Sequence, residues 1–127
     1  MKLYFLTLED ILEIHRDQID RYGGTKGIRD QNLLISAIAQ PHSSFGGDYL
    51  HVTIPGKAAA YLFHICQNHP FCDGNKRAAT ASALMFLAMN DYPFDFNENK
   101  LEKLVRAVAE GKIKKPEIAD FLSKSLG

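Results

Sequence analysis

Ten consecutive residues, Asn68-His69-Pro70-Phe71-Cys72-Asp73-Gly74-Asn75-Lys76-Arg77, bring together an imidazole, a carboxylate, a glycine, amides and two cations. His69 carries an imidazole, which can take a proton from an attacking hydroxyl. Asp73 is a hard oxygen ligand of the kind Mg²⁺ accepts when it also binds phosphates. Asn75 offers an amide, Lys76 a compact point charge and Arg77 a planar fork suited to phosphate oxygens. Gly74 can turn left-handed without a Cβ penalty and lets a ligand come close to the backbone. An apolar run from Ala78 to Met89 follows, with no Pro or Gly inside it, so the decapeptide opens a helix of about four turns. The first N–H groups of that helix lack intrahelical partners and its dipole is positive there, which favours a bound anion.

Each residue also has an ordinary explanation. A His before Pro is commonly a turn residue, Asp-Gly-Asn an unremarkable loop, and Lys-Arg a solvated pair. Two adjacent cations in a first turn oppose the helix dipole, however, and a bound anion removes that conflict. Their co-occurrence in one order carries more than any one residue.

In that order, His69-Pro70-Phe71-Cys72-Asp73-Gly74-Asn75-Lys76-Arg77 resembles the signature of the Fic/Doc family, H-x-F-x-[DE]-[GA]-N-[GK]-R, at every fixed position. Upstream, Tyr22-Gly23-Gly24, Gly27-Ile28-Arg29-Asp30, Leu33-Leu34 and Ser36-Ala37 look like the pattern of Doc-type (death-on-curing) proteins, so the likeness covers most of the chain. It implies ATP and Mg²⁺ as cofactors, with His69 catalytic, Asp73 on the metal, and Gly74, Asn75, Lys76 and Arg77 on the phosphates. Fic proteins transfer a nucleotide, typically AMP from ATP, to a protein hydroxyl, whereas Doc is a kinase that phosphorylates a threonine of elongation factor Tu.

Lys76 separates the two activities. The common Fic form has Gly there, which leaves room for the phosphates next to the one transferred; the Doc form has Lys. A cationic side chain in that pocket crowds it and turns the nucleotide to present its γ-phosphate. The expectation is therefore a Doc-like toxin kinase acting on a threonine or serine and arresting growth, with AMP transfer as the alternative. Pro70 and Gly74 depart from Doc, while Thr80 stands where Fic enzymes have a second Arg. Self-restraining Fic enzymes carry an [ST]-x-x-x-E-[GN] segment that is absent here, so the resemblance implies a separate, Phd-like antitoxin. A binding module that keeps a degenerate motif is a further alternative, disfavoured because no signature position is missing.

Composition bounds these readings. The 127 residues suit a single Fic/Doc-like domain spanning 1–127. Hydrophobic residues make up 46% and charged residues 24%, ordinary values for a soluble globular protein. Fifteen basic and fifteen acidic residues cancel, so nothing global attracts nucleic acid or an anionic membrane. The apolar patch at Leu3 to Leu6 is too short for a signal sequence, and no run reaches membrane-spanning length. Two cysteines, Cys66 and Cys72, suit a reducing cytoplasm better than a disulfide framework. His64, Cys66, His69 and Cys72 lie within nine residues, but their spacing matches no usual zinc pattern.

The elements that must position the decapeptide follow from periodicity. Lys2 to Leu6 is expected as a short strand. Thr7 caps a helix whose stripe is Leu8, Ile11, Leu12, His15 and Ile19, with His15 a core histidine. Glycines 23, 24 and 27 break it. Asp30 caps a second helix that ends before Pro41. Pro41 to Thr53 is a loop or hairpin, and by resemblance Phe45, Tyr49, Leu50, His51, Val52 and Thr53 form a flap that aligns the target by adding a strand to it. Pro55 opens a third helix that ends at His69. The Ala78–Met89 helix, apolar nearly all round, is expected at the centre, followed by helices over Glu98–Glu110 and from Pro116. The fold class is all-α, a compact bundle of about six helices with at most a small β-hairpin.

Overall fold

Side chains that start helices account for the element order. The computed structural model describes residues 2–124. Thr7 caps α1 (Leu8–Tyr22) in a reciprocal box: its hydroxyl accepts from Asp10 N, and the Asp10 carboxylate accepts from Thr7 N. Asp30 caps α2 (Gln31–Ala39), which runs into a single 3₁₀ turn at Gln40–His42. Thr53 caps α3 (Ile54–Asn68), with Pro55 in its first turn, and Asn97 caps α5 (Glu98–Ala109). Helix α4 (Asn75–Met89) is different, because Gly74 precedes it and no side chain caps it. Helix α6 (Lys115–Lys124) completes the set.

Between α2 and α3 lies an antiparallel hairpin of β1 (Ser44–Phe45) and β2 (Asp48–Tyr49), in the register Ser44↔Tyr49 and Phe45↔Asp48. Six α-helices and this hairpin make an all-α fold of the kind expected. No helix among the described residues is long and apolar enough to cross a membrane.

Helix α3, not α4, occupies the centre. It packs against α2, α4, α5 and α6, and buries Ala58, Ala59, Ala60, Tyr61, Leu62 and Ile65 completely. The run of alanines lets neighbouring helices approach from several sides. Helix α4 was expected there on its composition, yet it is covered by α1, α3 and α5 on part of its circumference only, and Met85 remains 48% exposed. A helix apolar all round need not be covered all round.

Lys2 to Leu6 was expected as a strand and forms none, because side chains instead of a neighbouring strand satisfy its backbone. Tyr4 N donates to Asn90 Oδ1 at 2.8 Å, and Asn90 Nδ2 donates back to the Tyr4 carbonyl at 2.8 Å. Leu6 N donates to the Tyr61 hydroxyl at 2.8 Å, inside the core. We predict that Tyr61→Phe, which leaves this N–H buried without a partner, lowers unfolding stability by about 1–2 kcal/mol in urea titration while α-helical circular dichroism is retained.

Candidate functional site

The decapeptide leaves α3 and enters α4 through a turn whose shape is set residue by residue. Helix α3 ends with His69 in the left-handed region (φ 50°, ψ 54°), its N–H bonded to the Ile65 carbonyl. A non-glycine residue there costs roughly 1–3 kcal/mol, and such residues concentrate at functional sites. Arg29 holds the turn: its Nε donates to the His69 carbonyl at 2.6 Å and its Nη2 to the Asn68 carbonyl at 2.8 Å. A cation at the C-terminal end of α3 also suits the helix dipole.

Residues 70–72 then run against 27–30. The Pro70 carbonyl accepts from Arg29 N and Asp30 N, Cys72 N donates to the Gly27 carbonyl, and Ile28 bridges Phe71. Phe71 is fully buried and stacks on His15, ring centroids 3.8 Å apart and 4° from parallel. Asn75 folds back on the same residue, accepting from Phe71 N at 2.9 Å and donating to its carbonyl at 3.0 Å. The Asn75 side chain, expected on the phosphates, is thus committed to shaping the loop, which leaves its main-chain N–H for a ligand.

Asp73 is exposed and doubly held. Thr25 N donates to Oδ2 at 3.1 Å and Gly74 N to Oδ1 at 2.9 Å. These two N–H groups, helped by the charge of Arg77 and by His15, hold its carboxyl below the usual carboxylate range. His15 Nε2 donates to the Asp73 carbonyl at 2.8 Å, so this core histidine also fixes the peptide that carries the acid. Gly74 adopts φ 73°, and a Cβ there would stand 3.0 Å from Ile19 Cδ1. Gly24 faces it from across the loop with φ 118°, where a Cβ would meet Asp73 Oδ2 at 2.8 Å.

The two cations have different surroundings. Arg77 is half-buried; Nη1 donates to the Gln18 carbonyl at 3.1 Å, Nη2 donates to the Gly23 carbonyl at 2.9 Å, and the guanidinium lies 5.8 Å from the Tyr22 ring centroid. It ties the end of α1 to the start of α4. Lys76 is exposed, and no hydrogen bond or ion pair engages its ammonium among the described residues.

His69, Asp73, Gly74, Asn75, Lys76 and Arg77 line one hollow of about 360 Å³, together with Cys66, Cys72 and Ala109. Burial pushes the Cys66 thiol up to about 12, so it acts as a small hydrophobe. His64 accepts a hydrogen bond from Lys115 Nζ at 3.0 Å and takes no part in the hollow. The hollow combines an accessible imidazole, a deprotonated carboxylate, a free ammonium and the uncapped amides of α4, a set able to hold an anion and accept a proton. A second, larger hollow of about 600 Å³ shares Lys76 and Arg77 and runs between α1, α4 and α5, past Tyr22, Leu84, Leu101 and Val105.

The flap residues Phe45, Tyr49, Leu50, His51, Val52 and Thr53 do not line the 360 Å³ hollow; they form the hairpin and its descent into α3. The sequence offered no sign that Arg29 and His15 hold the main chain around His69 and Asp73, because an Arg before a cap and a His on an apolar stripe have many uses. Their partners lie 40 and 58 residues away.

Comparison with known proteins finds relatives along most of the chain. The Fic/DOC family profile matches residues 5–87. Toxin Doc of Mycolicibacterium smegmatis is 38% identical over 90 residues, 69% of each chain. Protein kinase doc of Escherichia phage P1 is 32% identical over 120 residues, 94% of this chain and 93% of its own.

The depressed Asp73 pKa fixes the sign of a pH effect. Loop stabilisation by the charged form is fully present above the unfolded-state value near 3.8 and is lost as pH falls through the lower folded-state value. In urea titrations, the stability difference between wild type and Asp73→Asn should be constant from about pH 7 to 5 and shrink from about pH 4 downwards. A difference that does not change with pH would show that the two N–H bonds do not depend on charge.

Proposed function

Since the chain belongs to the Fic/Doc family, as a Doc-type member, we propose that it transfers the γ-phosphate of ATP to a threonine or serine hydroxyl of a target protein. The observation that carries this reading is the unpaired Lys76 ammonium at an uncapped helix start, in one hollow with His69 and Asp73. Lys76 and the main-chain amides of Asn75 and Arg77 hold the phosphate oxygens, and Arg77 closes the wall behind them. His69 takes the proton of the incoming hydroxyl, whose oxygen attacks the γ-phosphorus as ADP leaves. Positioning and charge stabilisation supply most of the rate, as in phosphoryl transfer generally.

Asp73 fits a metal role shared with the nucleotide. Each carboxylate oxygen accepts one main-chain N–H and keeps lone-pair capacity on the exposed side. No cluster of three or more His, Cys, Asp or Glu able to hold a metal occurs among the described residues, so Asp73 would hold Mg²⁺ together with the phosphates and water. Mg²⁺ bound there neutralises phosphate charge, a role it commonly takes with one or two carboxylates. Thr80 supports kinase over AMP transfer: it places no second cation beside the hollow, and its hydroxyl donates to the Lys76 carbonyl.

The partners follow from the same reading. As a toxin, the protein requires an antitoxin, Phd-like by resemblance, and the apolar hollow between α1, α4 and α5 is of a kind that accepts a helix. The target expected from family likeness is a translation factor such as elongation factor Tu, in the cytoplasm.

Incubation of the protein with bacterial extract and either γ-labelled or α-labelled ATP tests the reaction. Label enters a protein from the γ position only; label from the α position would overturn the kinase assignment in favour of AMP transfer. His69→Ala should lower transfer by about 10²-fold or more. Its stability should fall by no more than about 1 kcal/mol, because the ring is exposed and the change leaves the main-chain bonds of residue 69 in place. Transfer at the wild-type rate would remove His69 from the mechanism.

A further inference from the structure

Lys57 is the one Lys, Arg, Asp or Glu buried by the fold among the described residues, at 2% exposure. No carboxylate is paired with it there. Its Nζ instead donates to the carbonyls of His51 at 2.6 Å and Val52 at 3.0 Å, and lies 4.4 Å from the centroid of the Tyr49 ring. Burial lowers the pKa of the ammonium. A buried charge with only dipoles and a ring for company is unfavourable, and an apolar side chain of similar volume packs at least as well in such places. The stability of the core does not explain a lysine here.

What Lys57 holds explains it better. All three partners belong to β2 or to the segment that carries β2 down to α3. The hairpin is otherwise weakly attached: each strand is two residues long and exposed, and Phe45, Leu50 and Val52 are 81%, 60% and 78% exposed. A lone two-stranded hairpin is marginal in water. Tyr49 also touches Phe5, ring centroids 5.9 Å apart, but that contact does not fix the backbone. The ammonium does, since two successive carbonyls converge on one point charge beside the first turn of α3.

We propose that Lys57 is a positioning residue for the transfer reaction: it pins the return strand of the hairpin to α3, so that the exposed edge meets an extended segment of the target in a single register. The recognition half of this proposal rests on the kinase reading above; the anchoring half does not. Lys57 itself touches neither nucleotide nor target. Loss of its charge therefore weakens target engagement and leaves nucleotide binding alone.

The test uses Lys57→Met, close in volume, with Lys57→Arg as the variant that keeps the charge and donors. Amide hydrogen exchange should quicken by about tenfold or more across residues 44–52 in Lys57→Met and stay slow in α3 and α4. Transfer of γ-label, followed against serial dilution of extract, should show an apparent KM for extract raised by about tenfold. The limiting rate should stay within about threefold of wild type and the KM for ATP should not change. Lys57→Arg should recover part of both effects; if it does not fold, Lys57→Gln, which keeps two N–H donors without the charge, takes its place. Unchanged exchange over 44–52, or a fall in limiting rate with no change in KM for extract, overturns the anchor while wild-type transfer stands. A wild-type protein that labels nothing removes the kinase reading and the recognition role with it, and the exchange data then decide the anchor alone.

Discussion

The turn between α3 and α4 depends on the burial of Phe71. This ring occupies the core, stacked on His15, while His69 before it and Cys72 and Asp73 after it stay exposed. A loop pulled inward at one residue brings its peptide groups with it, and buried N–H and C=O groups need partners. Regular structure supplies few of them, since only the bridge to Ile28 belongs to a strand-like pairing. Side chains do the rest: Asn75 takes both peptide groups of Phe71, Arg29 takes two carbonyls at the end of α3, and His15 takes the carbonyl of Asp73. The positions of His69 and Asp73 are consequences of that anchoring.

Against this closely tied loop, the start of α4 is conspicuous for what it leaves open. Thr7, Asp30, Thr53 and Asn97 close the N-termini of α1, α2, α3 and α5, each by a side chain that accepts from the helix backbone. At α4 the N-cap is a left-handed glycine without a side-chain acceptor, the lysine two residues on makes no hydrogen bond or ion pair among the described residues, and a left-handed histidine stands nearby. The glycine costs only about a few tenths of a kcal/mol against a better cap, the lysine about 0.3–1 kcal/mol against the dipole and the left-handed histidine roughly 1–3 kcal/mol. A chain that closes four helix starts with a side-chain acceptor and leaves α4 open beside His69, Asp73 and Lys76 has a use for the opening.

Where local chemistry decides, sequence and structure agree. The caps at Thr7 and Asp30, the breaks at the glycines, the hairpin between Pro41 and Thr53 and the six helices all follow from rules that act within a few residues. The errors have a common cause. Residues 2–6 have the composition of a strand, but whether a strand forms depends on a neighbour, and here Asn90 and Tyr61 take that neighbour's place. The apolar circumference of α4 announces a buried helix, but burial is decided by how many elements surround it, and α3 has more. In the site, the residue types at 69, 73, 76 and 77 were legible because they lie side by side. The hydrogen bonds of the Asn75 side chain to Phe71, and Arg29 and His15 as supports, were invisible, because folding back within a turn and contacts across 40 or 58 residues leave no trace in spacing.

Lys76 and Arg77 show how adjacent cations divide between structure and ligand. A guanidinium has five N–H donors in a rigid plane, so two can serve the carbonyls of Gln18 and Gly23 while others remain directed elsewhere. An ammonium on a four-carbon stem has no such geometry; tied to those carbonyls it would leave less for an anion and would hold α1 less firmly. The order Lys-Arg is therefore not interchangeable with Arg-Lys or Lys-Lys. Arg77 sits where the helix turns its side chain back toward α1 and the Gly23–Gly24 break, and Lys76 where it turns toward open hollow. The glycines at 23 and 24 belong to the same arrangement: Gly23, whose carbonyl Arg77 grips, adopts φ 83° with open space where a Cβ would stand, and at Gly24 a Cβ would meet Asp73 Oδ2 at 2.8 Å and Arg77 Nη2 at 3.2 Å. The upstream Tyr-Gly-Gly and the signature are thus two halves of one site, joined by a single guanidinium.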